Sequence, residues 1–321
     1  MNRRRLWTCV LVAPVSLLIG GAPTSGQTQQ ERTEVTPTDV FAEVFATAHD
    51  VEQIRFYMGR PRNHQEPIGV TDVAPREVIY QAATLCEKTN RLGHEVIREV
   101  GEKPAVPDKD IVPADVLGMV ELAHGRVRRI AQGLPLVLTP APAPPAGEKT
   151  PTDVYRAVVQ LNRQINILLD RRFSPSDVYQ QVSLAIAHAA NVRGRWPGQR
   201  IPPEPDWELG KRPPDVYRRL LGCLDLIRRL AAAENVRILE LSVSESSITG
   251  ATPSDVYDIA SLLVSELAYV DRVLNGSPPE RKAWYPGRKV PSDVFQRVGI
   301  LELQLVQIVE LAGSENRQGG S

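Results

Sequence analysis

One short phrase recurs along this chain and restricts it to copies of one structural unit. "TPTDVFAEV", "TPTDVYRAV", "SPSDVYQQV", "TPSDVYDIA" and "VPSDVFQRV" begin at Thr36, Thr150, Ser174, Thr252 and Val290. With three looser copies, the acidic residue of the phrase falls at Asp39, Glu77, Asp115, Asp153, Asp177, Asp215, Asp255 and Asp293, at successive intervals of 38, 38, 38, 24, 38, 40 and 38 residues. A period this regular marks a repeat architecture.

The phrase is helix-starting chemistry. Proline stands two positions before every acid (Pro37, Pro75, Pro113, Pro151, Pro175, Pro213, Pro253, Pro291), at the first helical position, where its fixed φ helps and its missing N–H costs nothing. Thr36, Thr150, Ser174 and Thr252 precede it as N-cap residues whose hydroxyl oxygens can accept a free backbone N–H. The acid then sits third in the helix, able to complete a capping box and to face the positive end of the helix dipole. Eight acids in register also resemble a metal or catalytic ring, but capping explains them without a further assumption.

Each start leads into a heptad seam. Val154, Val158, Leu161, Ile165 and Leu168, like Val294, Val298, Leu301, Leu305 and Ile308, recur at alternating steps of four and three, as in bundled helices that pack knobs into holes. An aromatic stands two residues after the acid in six copies (Phe41, Tyr155, Tyr179, Tyr217, Tyr257, Phe295), placed to pack against the incoming loop. The expected fold is all-α: eight helices, arranged as two pseudo-symmetric four-helix units. The expected boundaries are a signal peptide at 1–26, a flexible linker at 27–36, a first unit at 37–173, a second at 174–313 and a flexible tail at 314–321. The units meet at "DRRFSPSDVY", the single direct connection between helices. It is expected to make a tight hairpin of the fourth and fifth helices. The other connections, such as "LPLVLTPAPAPPAGEKT", are long and rich in proline. At ~3.1 Å per residue, one of them can return along a whole helix of ~33 Å, so parallel neighbours and antiparallel neighbours with slack loops both remain open.

The first residues read as an export signal. "MNRRR" is basic, "LWTCVLVAPVSLLIG" is apolar, and "GAPTSGQ" supplies small residues for cleavage after Gly26. The apolar run is short for a bilayer span, so the mature chain is expected to be periplasmic or secreted, without a transmembrane segment. The formal net charge of zero argues against nucleic acid as a partner. Arginine supplies most of the 38 cationic residues, with only seven lysines.

Candidate chemistry is sparse. Cys86 and Cys223 remain after signal removal and form a candidate disulfide pair, both on the second helix of a unit. Glu121 and His124 in "ELAH" have the spacing used in di-iron carboxylate bundles, although no second such motif exists in the chain. There is no nucleophile elbow, zinc-protease motif or phosphate-cradling loop, and no cofactor is expected. Trp196, Trp207, Trp284, Tyr285 and Arg195 lie between helices of the second unit and are the candidate partner-binding residues. These features predict a non-catalytic helical scaffold of the cell envelope, whose partner is an envelope protein or a second copy. A periplasmic bundle that binds a small ligand or a metal, using Glu121, His124 and the helix-start aromatics, is the alternative.

Overall fold

Every copy of the phrase starts a helix. Helices run Pro37–Tyr57 (α1), Pro75–Ile97 (α2), Pro113–Gly133 (α3), Pro151–Leu168 (α4), Pro175–Arg193 (α5), Pro213–Ala233 (α6), Glu245–Thr249 (α7), Pro253–Asn275 (α8) and Pro291–Gln318 (α9). The computed structural model describes residues 34–107, 109–170, 173–276 and 284–318. The signal segment 1–26 and residues 27–33 of the expected linker lie outside these described residues.

The caps form as hydrogen bonds of two kinds. In the full version, the Thr36 backbone N–H and hydroxyl donate to Asp39 Oδ2 at 2.8 and 2.7 Å, and the Asp39 N–H donates back to Thr36 Oγ1 at 3.3 Å. Thr150 with Asp153, Ser174 with Asp177, and Thr252 with Asp255 repeat this arrangement. Where the preceding residue has no suitable hydroxyl, half the box remains: the N–H groups of Ala74, Val112, Arg212 and Val290 donate to Glu77, Asp115, Asp215 and Asp293 at 2.8 to 3.1 Å. The valine after each acid (Val40, Val78, Val116, Val154, Val178, Val216, Val256, Val294) is buried.

Among the described residues the fold is all-α apart from one two-stranded ladder. Residues from Val35 onward form one compact unit, within which the long helices pack as two sets of four. In the first set α1 and α2 each pack against both α3 and α4; in the second, α5 and α6 each pack against both α8 and α9. The four helices of the first set are parallel. Pro37, Val40, Pro75, Val78, Pro113, Val116, Pro151 and Val154, all from helix starts, surround a single small apolar pit. In the second set, Ser176 at the start of α5 bonds Gly287 and Lys289 just before α9, and Ser292 in α9 accepts the Lys211 N–H just before α6.

Parallel order requires each loop to travel back the length of a helix, and the loops do so as straps. Along 58–74, Arg60 meets Asp170, Arg163 donates to the Glu66 carbonyl at 2.7 Å, and Arg156 donates to the Val70 carbonyl at 2.7 Å. This strap therefore descends α4 from end to start. Along 194–212, Gln307 reaches the Arg200 carbonyl, Gln296 the Pro205 carbonyl, and Trp207 Nε1 donates to Asp293 at 3.1 Å, so this strap descends α9. Gln53 and Thr38 hold Thr139 and Lys149 of the strap 134–150 against α1. An extended strand has carbonyls without backbone partners, and guanidinium forks supply several of them. This gives the arginine excess a structural use.

The two sets dock antiparallel through α2 and α8. Arg76, at the start of α2, lies beside Glu266 and Tyr269 of α8, whereas Glu87 and Lys88 meet Tyr257 and Asp258. One end of the molecule, the joint end, therefore gathers the ends of α1–α4 and the starts of α5, α6, α8 and α9. Positive and negative helix termini then lie together there, which offsets the dipole cost of parallel neighbours within each set. Two straps also pair across the sets: β1 (Gly69–Thr71) runs antiparallel to β2 (Glu240–Ser242).

The structure corrects several expectations. The strands and α7 were not anticipated. The chain does reverse direction between α4 and α5, but α4 packs on α1 and α2 while α5 packs on α8 and α9, so the two helices belong to different sets and do not form the expected packed hairpin. The expected tail at 314–321 is helical as far as Gln318, because Ala312 is buried and no proline interrupts the last turns. No helix among the described residues is long and apolar enough to cross a membrane.

Candidate functional site

The joint brings together residues that lie far apart in sequence. Phe173 is buried and stacks on Tyr257 of α8, with ring centroids 3.9 Å apart and planes at 26°. Arg91 of α2 places its guanidinium 4.0 Å from the Phe173 centroid and pairs with Asp177, the cap acid of α5. The Tyr257 hydroxyl donates to Glu87 at 2.6 Å and accepts from Gln181 of α5 at 3.1 Å. Burial and the neighbouring Glu87 both hold that phenol in its protonated state. Lys88, fully buried, donates to both Asp258 oxygens at 2.7 and 3.0 Å. Burial pushes the Lys88 ammonium down and the Asp258 carboxyl up, each opposed by its partner.

Beside the joint opens a groove of about 800 Å³, with Asn90, Arg91, His94, Arg98, Asp170 and Asp177 in its walls. Several of its charges are already engaged: Arg91 with Asp177, Asp170 with Arg60, and Glu95 with the Asp170 N–H at 2.8 Å. These contacts tie the joint together.

The proposed metal residues separate. Glu121 faces solvent, whereas His124 is buried between two carboxylates of α1, with Nδ1 2.6 Å from Glu43 and Nε2 2.8 Å from Asp50. At about 3.6 residues per turn, side chains three residues apart share a face but point about 60° apart, and here that angle leaves His124 on the packed side of α3 and Glu121 at its solvent edge. Glu43 and Asp50 engage opposite ring nitrogens, so they cannot converge on one ion. No group of three or more candidate ligands with metal-holding geometry occurs among the described residues. The second set has a related clamp, in which His188 of α5 meets buried Asp271 of α8 at 2.9 Å.

Cys86 and Cys223 are not bridged. Each is a free, buried thiol, with Cys86 Sγ 3.2 Å from the Met119 carbonyl in the first set and Cys223 Sγ 4.0 Å from the Val298 carbonyl in the second. Lying on the second helix of each set directs each thiol into its own core. Burial pushes the Cys86 thiol up to about 11 and raises Cys223 further.

The loop aromatics divide between the two ends. Trp196 follows α5 at the end opposite the joint, half-buried against the core, while Arg195 pairs with Glu234 at 3.0 Å. Trp207 is at the joint end beside Asp293, and Trp284 and Tyr285, 76% and 69% exposed, precede the anchored Gly287 and Lys289. Sequence reasoning missed Phe56 and Tyr57, exposed at the end of α1 and therefore also at the joint end.

The helix-start aromatics act within the fold. Tyr155, Tyr217 and Tyr257 are buried. Phe41, Tyr179 and Phe295 each lie under a lysine one residue before a neighbouring helix's N-cap: Lys149, Lys289 and Lys211, at 5.0, 4.7 and 4.2 Å. No family model, curated protein or solved structure matches the chain.

Proposed function

We propose that the chain is an exported, non-catalytic helical scaffold that presents the joint end of its two helix sets to an envelope protein or to a second copy of itself. The observation that carries this reading is the exposure of Phe56 and Tyr57 at the end of α1 and of Trp207 beside Asp293 at the start of α9, both at that end, with exposed Trp284 and Tyr285 shortly before Gly287, which Ser176 at the start of α5 holds. Aromatics dominate binding energy where they become buried between partners. The second-set members are also held in place before any partner arrives: Trp207 by Asp293, and the segment after Tyr285 by Ser176. Preorganisation of this kind lowers the entropic cost of association. Trp196 and Arg195, at the opposite end and engaged internally, fall outside the proposed surface.

The shared start chemistry, seam pattern and helix adjacency support a further part of the reading, that the two sets are copies of one unit. Export rests on the first 26 residues, and N-terminal sequencing of the mature protein should begin at Gln27; a mature chain that starts at Met1 contradicts export.

Native mass spectrometry of protein gently purified from its envelope tests the scaffold. A stoichiometric protein companion or homo-oligomer is expected, and it should be lost in a Trp207→Ala, Trp284→Ala variant whose circular dichroism melt is unchanged. A monomer carrying extra small-molecule mass would instead establish the ligand-binding alternative, for which the groove beside Arg91 offers the space.

A further inference from the structure

Where the two sets dock, the start of α2 brings Arg76 and Glu77 against Glu266 and Tyr269 of α8. Both carboxyl side chains are 0% exposed. Arg76 Nη2 touches Glu77 Oε1, lies 3.6 Å from Glu266 Oε2 and donates to the Arg237 carbonyl at 2.9 Å. The same guanidinium covers the Tyr269 ring at 3.7 Å. One cation therefore serves two buried carboxyl groups, one from each set. Glu77 has further support, since its Oε2 accepts the Ala74 N–H at 2.8 Å. Neither oxygen of Glu266 has a hydrogen-bond partner among the described residues. Two anions enclosed with one cation leave an uncompensated buried charge, which such sites relieve by keeping one group protonated.

We propose that Glu266 holds a proton at the seam between the two helix sets, beside Glu77, and that release of this proton in alkaline solution loosens the docking of one set on the other. The charged groups acting on Glu266 are Glu77 and Arg76; α5 and α6, which pack on other faces of α8, bring none to it among the described residues. On the α2 side, buried Tyr155 of α4 feels both carboxyl groups, and Lys88 with Asp258 forms a separate pair farther along the seam. Burial, reinforced by Glu77, pushes the Glu266 carboxyl from 4.5 up to about 8, and burial also raises Glu77.

A carboxyl raised on folding holds its proton more tightly in the folded state, so its contribution is complete below about pH 4.5 and is lost as pH climbs to about 8. Within that window this one group lowers the folding constant by up to about tenfold per pH unit.

The test compares full-length wild type with Glu266→Gln from about pH 5 to about pH 9, using denaturant unfolding and peptide-resolved hydrogen exchange corrected for intrinsic rate. Wild type is expected to lose stability relative to the variant across this window, with protection falling first in α2 and α8. A variant whose stability declines as steeply as wild type's overturns the proposal. Should the variant fail to fold, infrared titration of wild type decides: a protonated-carboxyl C=O band present near pH 6 and gone by about pH 9 supports it, and absence of that band near pH 6 overturns it.

Discussion

Individual residues do their work at helix starts. Hydrogen bonds from Thr150 hold the Asp153 carboxyl below its usual range, as those from Thr36 do for Asp39. A carboxyl lowered on folding stabilises above its unfolded pKa and loses that contribution as pH falls through its folded value, so these caps fail in acid below about pH 4. Asp153→Ala should cost about 0.3–1.5 kcal/mol at neutral pH and show a shallower acid transition in circular dichroism than wild type. Lys211→Ala should cost about 0.5–1 kcal/mol through loss of its place over Phe295, and much less in a Phe295→Leu background if the contact is the cause; a double-mutant cycle measures this. Cys86 and Cys223 should resist iodoacetamide in the folded protein at pH 8 and both react after unfolding, as counted by mass spectrometry. The cap acids were legible because a helix start is written in four adjacent residues. The partners of His124 were not, because Glu43 and Asp50 become neighbours only once α1 packs beside α3.

Among the elements, the straps distinguish this molecule from a bundle with short turns. An extended strap retains its position only if its polar groups find partners, and here those partners are side chains on the helix it descends. Arg163 is the clearest case, nearly buried and donating to the Glu66 carbonyl. Arg163→Ala should remove a charge-assisted hydrogen bond worth about 1.5–3 kcal/mol and expose the chain around 60–70 to limited proteolysis while α5–α9 remain resistant. Equal resistance of that segment in variant and wild type would contradict its role as a fastener. The length and proline content of the straps were legible as chains able to return along a helix, but the direction of return was not. The β1–β2 ladder was invisible, since three residues on each strand carry no usable period.

At the scale of the whole molecule, two parallel sets docked antiparallel place exposed Phe56, Tyr57 and Trp207 at one end and a proton-bearing seam within. The heptad seam of each helix announced its own set. The docking face was harder to see, because it is a second stripe on α8, with Ile259, Leu262, Glu266 and Tyr269 at helical spacing, and the acid in it reads as surface until α2 covers it. The parallel order of α1–α4 is the claim on which the straps, the grouped caps and the joint end all depend. Distances between spin labels on the helices test it most directly, with one label at half-buried Thr152 near the start of α4 and the other at exposed Ala114 or Gln132, near the start and end of α3. Parallel order puts the two starts about 11–14 Å apart, the diagonal of a bundle with sides of 8–10 Å, and the Gln132 to Thr152 pair at roughly 30 Å. The reverse order of those two distances would contradict it.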